Sequence, residues 1–225
     1  MSALSILCIL LSRTLSHSVM TILRRLLPPR SPPPRPPAAA AHPRWRPPPA
    51  GSVKINVDGA FLPSARLGAI GVIARDSSGS VLGGFAKPVP VCSPASTMEV
   101  STLFAGLEFA IANVPKHFSN IISKQISQHN GWASALIESD AAALVNKLHR
   151  PTMVLSLLGD LLAPSRALLA ASNGCLRVGF APRSANSTAH ALASWAFHNN
   201  NVISFSSICP ELISRVVLDD LSSSF

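Results

Sequence analysis

The sequence predicts an α/β fold: a mixed five-stranded sheet of three antiparallel strands followed by strand-helix units, flanked by helices. Three observations carry this. Three runs with strand character are joined by short turn signals, a helical apolar period follows directly, and short apolar runs then alternate with helical segments.

The first three strands are VKINVDGAF, LGAIGVIAR and SVLGGFAKPV. A short loop at Pro63 joins the first pair, and the turn Asp76-Ser77-Ser78-Gly79, opened by Asp76, joins the second. Connections this short make the neighbours antiparallel. Ser96 and Glu99 form a capping-box pattern ahead of Val100, Leu103, Phe104, Leu107, Ile111 and Val114 at helical spacing, which predicts a long helix. ALIESD, closed by Asp140, reads as the fourth strand and AAALVNKL as a helix. Leu155 to Ala171 reads as a helix that Pro164 should kink or divide. CLRVGFAP is the last strand, Asn186 to His198 the final helix, and 201–225 a weakly patterned C-terminal tail.

A chain of 225 residues, 48% apolar, accommodates one ordinary domain plus flanking segments. Its four cysteines, Cys8, Cys92, Cys175 and Cys209, form no CxxC or Cys/His cluster, so neither a zinc site nor a disulfide framework is indicated. Seven arginines and Lys54 precede Asp58, the first acidic residue; eleven basic residues against ten acidic ones follow, so the body carries only +1 of the net +9. The basic character therefore resides in the leader rather than on a nucleic-acid-binding face.

Residues 1–27 are apolar, rich in Ser and Arg and free of acids, which suits an organellar transit peptide for the mitochondrion or chloroplast. A signal peptide, or an untargeted leader on a nuclear or cytoplasmic protein, stands as the alternative. The run ALSILCILL stops at Arg13, short of a membrane span, so no stable membrane partner is expected. Residues 28–50 form a proline-rich linker, read as a plain spacer or as a docking segment for an SH3-like partner. The main domain is expected over 51–200.

Three acids stand where chemistry could use them, each with a plainer explanation. Asp58 precedes Gly59 as in a hairpin turn, Glu99 can cap its helix, and Asp140 can cap the helix beginning near Ala141. Glu108 reads as solvated. Glu138 lies two residues before Asp140 on the same side of a strand.

Taken in order, the Trp45 and proline lead-in, KINVDGAF, GAIGVIARDSSGSVLG, STMEVSTLFAGLEFA, ALIESD and PRSANSTAHALASWA resemble the ribonuclease H family, in particular its plant domains related to reverse-transcriptase elements. The resemblance spans about residues 45–198. It implies a ribonuclease H-like sheet on which Asp58, Glu99 and Asp140 hold two Mg2+ (or Mn2+) ions, and cleavage of the RNA strand of an RNA-DNA hybrid. Oxygen ligands suit magnesium, and two ions serve the attacking and leaving oxygens of a phosphodiester displacement. It also offers the backbone around Asn56 to Gly59, with Arg183 and Asn186, as nucleic-acid contacts.

Two departures from the family pattern stand out. His190 occupies the place of a fourth carboxylate, and imidazole favours manganese or zinc over magnesium; His190 is read either as a proton shuttle in the site or as a residue packed on the sheet. Residues 114–130 read as an insertion between the long helix and the fourth strand. With Lys87, Lys147, Arg150 and Arg183 dispersed and no tyrosine present, weak and salt-sensitive binding of hybrid or RNA is expected. The alternative function is a catalytically weak or inactive, retroelement-derived nucleic-acid-binding domain of the same fold.

Overall fold

The computed structural model describes residues 43–222 apart from 63, 65, 66, 91–94, 114–133 and 151–156. The leader, the linker up to residue 42, the 114–130 insertion, Val114 and Leu155 lie outside the described residues.

Strands β1 (Ser52–Leu62), β2 (Leu67–Arg75) and β3 (Val81–Pro90) form the expected antiparallel meander. Helix α1 (Ala95–Asn113), β4 (Ser134–Ser139), α2 (Ala142–His149), α3 (Leu157–Ala171) and β5 (Leu176–Phe180) follow. A 3₁₀ turn (Arg183–Ala185) then leads into α4 (Ser187–Asn199), β6 (Ile203–Ser206) and α5 (Glu211–Leu221). The sheet order is β5-β4-β1-β2-β3-β6, with β4 parallel to both β1 and β5. Asp76 opens the second turn: its carboxylate accepts from the Ser78 and Ser80 amides at 2.8 and 2.9 Å, and Gly79 takes the positive φ of 83°.

Alternation along β1 divides the molecule. Val53, Ile55 and Val57 face a core closed by Leu103 and Leu107 of α1, Leu144 of α2 and Leu162 of α3. Alternate positions face the other side, where Ala69 and Ile73 of β2 meet Leu192 of α4 and Ile213 of α5. Gly71 permits that second packing, because a β-carbon there would run into the Ala189 carbonyl oxygen and stand 2.5 Å from the Ala193 nitrogen. Helix α4 thus lies directly on the β2 backbone.

Four expectations are corrected. Among the described residues the sheet has six strands rather than five. Residues 201–225 are not merely a tail: β6 pairs with β3, and α5 turns Ile213, Val217 and Asp220 inward at helical spacing. Pro164 does not divide α3, whose helix runs unbroken from Leu157 to Ala171 with Pro164 on its exposed side. The linker's last residues belong to the fold, since Trp45 is only 1% exposed and packs with Ala181, Ala185 and Leu221.

Trp45 also resolves a charge problem. Lys54 and Arg75 lie directly opposite each other on β1 and β2, a pairing that like charges disfavour. The indole stands against both, 3.7 Å from the Arg75 guanidinium and 5.7 Å from the Lys54 ammonium, and each cation has its own acid. Lys54 pairs with Glu138 at 2.8 Å, and fully buried Arg75 with Asp220 at 2.8 Å. Asp220 further accepts from Ser187 and Thr188, each at 2.9 Å, and so fastens the start of α4 to β2 through α5. Burial pulls the Arg75 pKa down and Asp220 opposes it, so desolvation outweighs what the partner returns.

Candidate active site at the ends of β1 and β4

The parallel β1/β4 register ends at Val57 opposite Ser139. Asp58 is the next residue of β1 and Asp140 the first residue after β4, so the two strand ends bring them near each other. Asp58 lies inside β1, opposite Gly71, and the chain reverses only after Leu62; the hairpin-tip reading of Asp58 is therefore set aside. Glu99 enters from α1, in the second turn after Ala95. The capping-box reading rests on the Ser96 side chain, which lies outside the described residues; the helix already begins at Ala95.

The three carboxyls act on one another. The pKa of Glu99 is raised, first by partial burial of its carboxyl group, then by the charges of Asp140 and Asp58. That of Asp140 is raised, first by burial and then by Asp58, against the opposing pull of Arg183 and His190. Like charges held together without enough neutralising cations are the electrostatic condition that a divalent ion relieves. The donor chemistry, all carboxylate oxygen, fits a hard ion such as Mg2+. The side chains as placed do not converge on one point: among the described residues no three His, Cys, Asp or Glu form a group that could hold an ion. One cause is visible, because Asp58 Oδ2 is taken by His190 Nδ1 at 2.7 Å.

His190 is 42% exposed, so it joins the site rather than packing into the sheet. Arg183 Nη2 lies 3.3 and 3.4 Å from its two ring nitrogens, a near-equality that puts the guanidinium over the ring rather than in its plane. Arg183 is exposed and within the field of Asp140, a position suited to a phosphate contact.

The remaining expected contacts are placed otherwise. Asn56 is fully buried; its Oδ1 accepts from Trp45 Nε1 at 2.9 Å and Arg75 at 3.2 Å, and its Nδ2 donates to Glu138 at 3.2 Å, so its side chain cannot reach a ligand. Asn186, 1% exposed, donates to the Val57 carbonyl at 2.9 Å and ties α4 to the strand bearing Asp58. Gly59 accommodates α1: a β-carbon there would stand 2.7 Å from Thr102 Oγ1. Glu138 is committed to Lys54 and Asn56, one layer behind Asp140. Glu108 is exposed on α1.

The residues that sequence reasoning missed are Arg75 and Asp220. A signal exists for Asp220, which falls on the apolar stripe of Ile213 and Val217 in ELISRVVLDDL. An acid in that stripe asks for a buried cation. For Arg75, at the end of an apolar strand, sequence offers only the alternation that turns it inward.

Comparison with known proteins bears on the fold. Residues 56–124 match the family described as reverse transcriptase-like. A search of curated proteins finds no match. Solved structures of similar shape include the N-terminal ribonuclease H domain of a Mycobacterium tuberculosis protein, at TM-score 0.51 and 19% identity, over 66% of this chain and 94% of that one. Ribonuclease H1 of the archaeon Halobacterium salinarum aligns with TM-score 0.51 and 19% identity, over 66% of this chain and 98% of its own. A compost-derived metagenomic ribonuclease H1, crystallised with an RNA/DNA hybrid, gives 0.52 and 16%, over 66% and 98%. At these identities the likeness is one of fold. The chain thus has a ribonuclease H-like fold, and the part of it that carries Asp58 and Glu99 matches the model of the reverse transcriptase-like family.

Proposed function

We propose that the domain is an endonuclease that cuts the RNA strand of RNA-DNA hybrids. The observation that carries the reading is that the charge of Asp58, on β1, reaches both Glu99, on α1, and Asp140, directly after β4. In this reading those carboxylates hold divalent ions, Mg2+ or Mn2+, which supply Lewis-acid activation of water and charge neutralisation at the phosphate. Arg183 orients the phosphate beside Asp140. Water attacks phosphorus in line, the bond from phosphorus to the 3′-oxygen breaks, and the products are a 5′-phosphate and a 3′-hydroxyl. With Asp58 Oδ2 given over to an ion, the His190 imidazole, now held there at 2.7 Å, would be released at the edge of the site to pass a proton toward the departing oxygen. The leader would deliver this activity to an organelle, which a fluorescent fusion of the full chain tests.

A second reading, a catalytically weak or inactive nucleic-acid-binding domain, is favoured by one observation: His190 occupies an oxygen of Asp58 that ion binding would use. Both are tested by incubating the full chain with a labelled RNA-DNA hybrid in Mg2+ and then in Mn2+. Cleavage that disappears in Asp58→Asn and Asp140→Asn supports the nuclease. Binding without cleavage in either metal, together with Mg2+-dependent cleavage in His190→Asp, supports the weakened domain.

A further inference from the structure

Asn186 stands at the N-cap of α4, where an asparagine ordinarily turns its side chain back to an amide of the first helical turn. It makes no such bond. Its side-chain nitrogen instead crosses to β1 and donates to the Val57 carbonyl at 2.9 Å, 129 residues earlier in the chain. A carbonyl only accepts, so Nδ2 faces Val57 and Oδ1 is turned away. That Oδ1 is buried with no hydrogen-bond partner among the described residues. Packing alone would favour an apolar side chain in such a place, so what the amide contributes is the bond from its nitrogen.

That bond lands beside the candidate active site. Val57 is the last residue of β1 paired with β4, and Asp58 follows it directly. The backbone carbonyl of Asn186 accepts at 3.1 Å from the amide of His190, one turn along α4. Asn186 therefore grips the backbone next to Asp58 with its side chain and the backbone of His190 with its own carbonyl. The two side chains so placed, His190 and Asp58, meet at 2.7 Å. Ser187 and Thr188 hold the same helix start to Asp220, and through Arg75 to β2. Of these three attachments, the one from Asn186 reaches the strand that bears Asp58.

We infer that Asn186 is a positioning residue: it sets the place of His190 against Asp58, and with it the point from which the imidazole serves the site. Its side chain is 1% exposed and acts through those two residues rather than on a substrate. The inference deepens the nuclease reading and rests on it for the kinetic consequence alone.

Asn186→Ala and Asn186→Ser are compared with the natural sequence; serine still caps a helix, but its hydroxyl is too short to reach Val57. In the metal-free full chain, at a pH where imidazole is neutral, long-range proton-nitrogen NMR reads the ring nitrogens of each histidine. A carboxylate only accepts, so contact with Asp58 keeps the hydrogen on His190 Nδ1, and the natural sequence is expected to show two well-separated nitrogen shifts for that ring. Both variants are expected to draw those shifts toward the average of a free imidazole. His149, whose Nε2 lies 2.9 Å from the Val178 carbonyl, keeps its pattern and reports an intact fold. On labelled hybrid, kcat falls about 10–100-fold while KM stays within about twofold. Unaltered His190 shifts in the serine variant overturn the inference, as do averaged His190 shifts in the natural sequence. Loss of the His149 pattern in the serine variant overturns it too, by making Asn186 a residue of the whole fold. A raised KM with kcat unchanged overturns it by making Asn186 a substrate contact. If the natural sequence cuts no hybrid, the nuclease reading fails and the metal-free spectra alone decide the positioning role.

Discussion

Replacing Asp220 by Ala removes the acid that pairs at 2.8 Å with fully buried Arg75. Breaking a buried ion pair from one side costs about 3–5 kcal/mol, because the surviving charge is left without compensation. The Ser187 and Thr188 hydroxyls lose their acceptor as well, and fully buried Thr188 is left with an unpaired donor that adds about 1–3 kcal/mol. For a domain of this size 1 kcal/mol corresponds to about 2–4 °C, so the ion pair alone predicts a melting point lower by about 6–20 °C. Arg75→Met/Asp220→Leu serves as the control: exchanging the whole pair for apolar groups is expected to recover most of the loss. Urea denaturation of the three proteins decides the matter. A loss below about 1 kcal/mol for Asp220→Ala, or a double variant no better than the single one, would refute the view that α5 clamps β2 through a buried charge.

Further outcomes follow from the same geometry. Gly71→Ala forces α4 off the β2 backbone and is expected to destabilise by about 1–3 kcal/mol in urea titrations, with His190 moved from Asp58 in a crystal structure of the variant. Trp45→Ala empties the space between Lys54 and Arg75 and lowers stability by about 3–5 kcal/mol, whereas a spacer residue would give almost no change. The folded-state pKa of Asp140 is raised, so the folded chain binds its proton more readily than the unfolded chain does, and ionisation of Asp140 lowers stability as pH rises through the window above its ordinary value near 4. Asp140→Asn should therefore melt higher than the natural sequence at pH 7, and the difference should vanish near pH 3, measured by thermal melts without divalent ions.

The meander, α1 and the β4-α2 unit were legible because each combines a clear period with a strong boundary signal. Asp76 and Gly79 close one turn, and Val100, Leu103 and Leu107 repeat at helical spacing. The acids at 58, 99 and 140 stood out through their order along a familiar pattern rather than through local chemistry. That the Asn56 and Asn186 side chains are buried anchors was not legible, because residue type alone does not tell a buried polar anchor from an exposed contact. Their burial depends on Trp45, Arg75 and the α4 approach over Gly71, all distant in sequence. β6 and α5 escaped notice for a related reason: a strand of four residues, Ile203–Ser206, has too little alternation to stand out, and its partner β3 lies more than a hundred residues earlier. Arg44 and Arg46 were counted with the leader because charge counting cannot tell which cations the fold retains.

The most direct test of the account is anomalous diffraction from crystals of the full chain grown with saturating Mn2+. Peaks bounded by Asp58, Glu99 and Asp140 are expected, with His190 displaced from Asp58 Oδ2. Density showing no ion among those three carboxylates, with the bond from His190 to Asp58 intact, would contradict it.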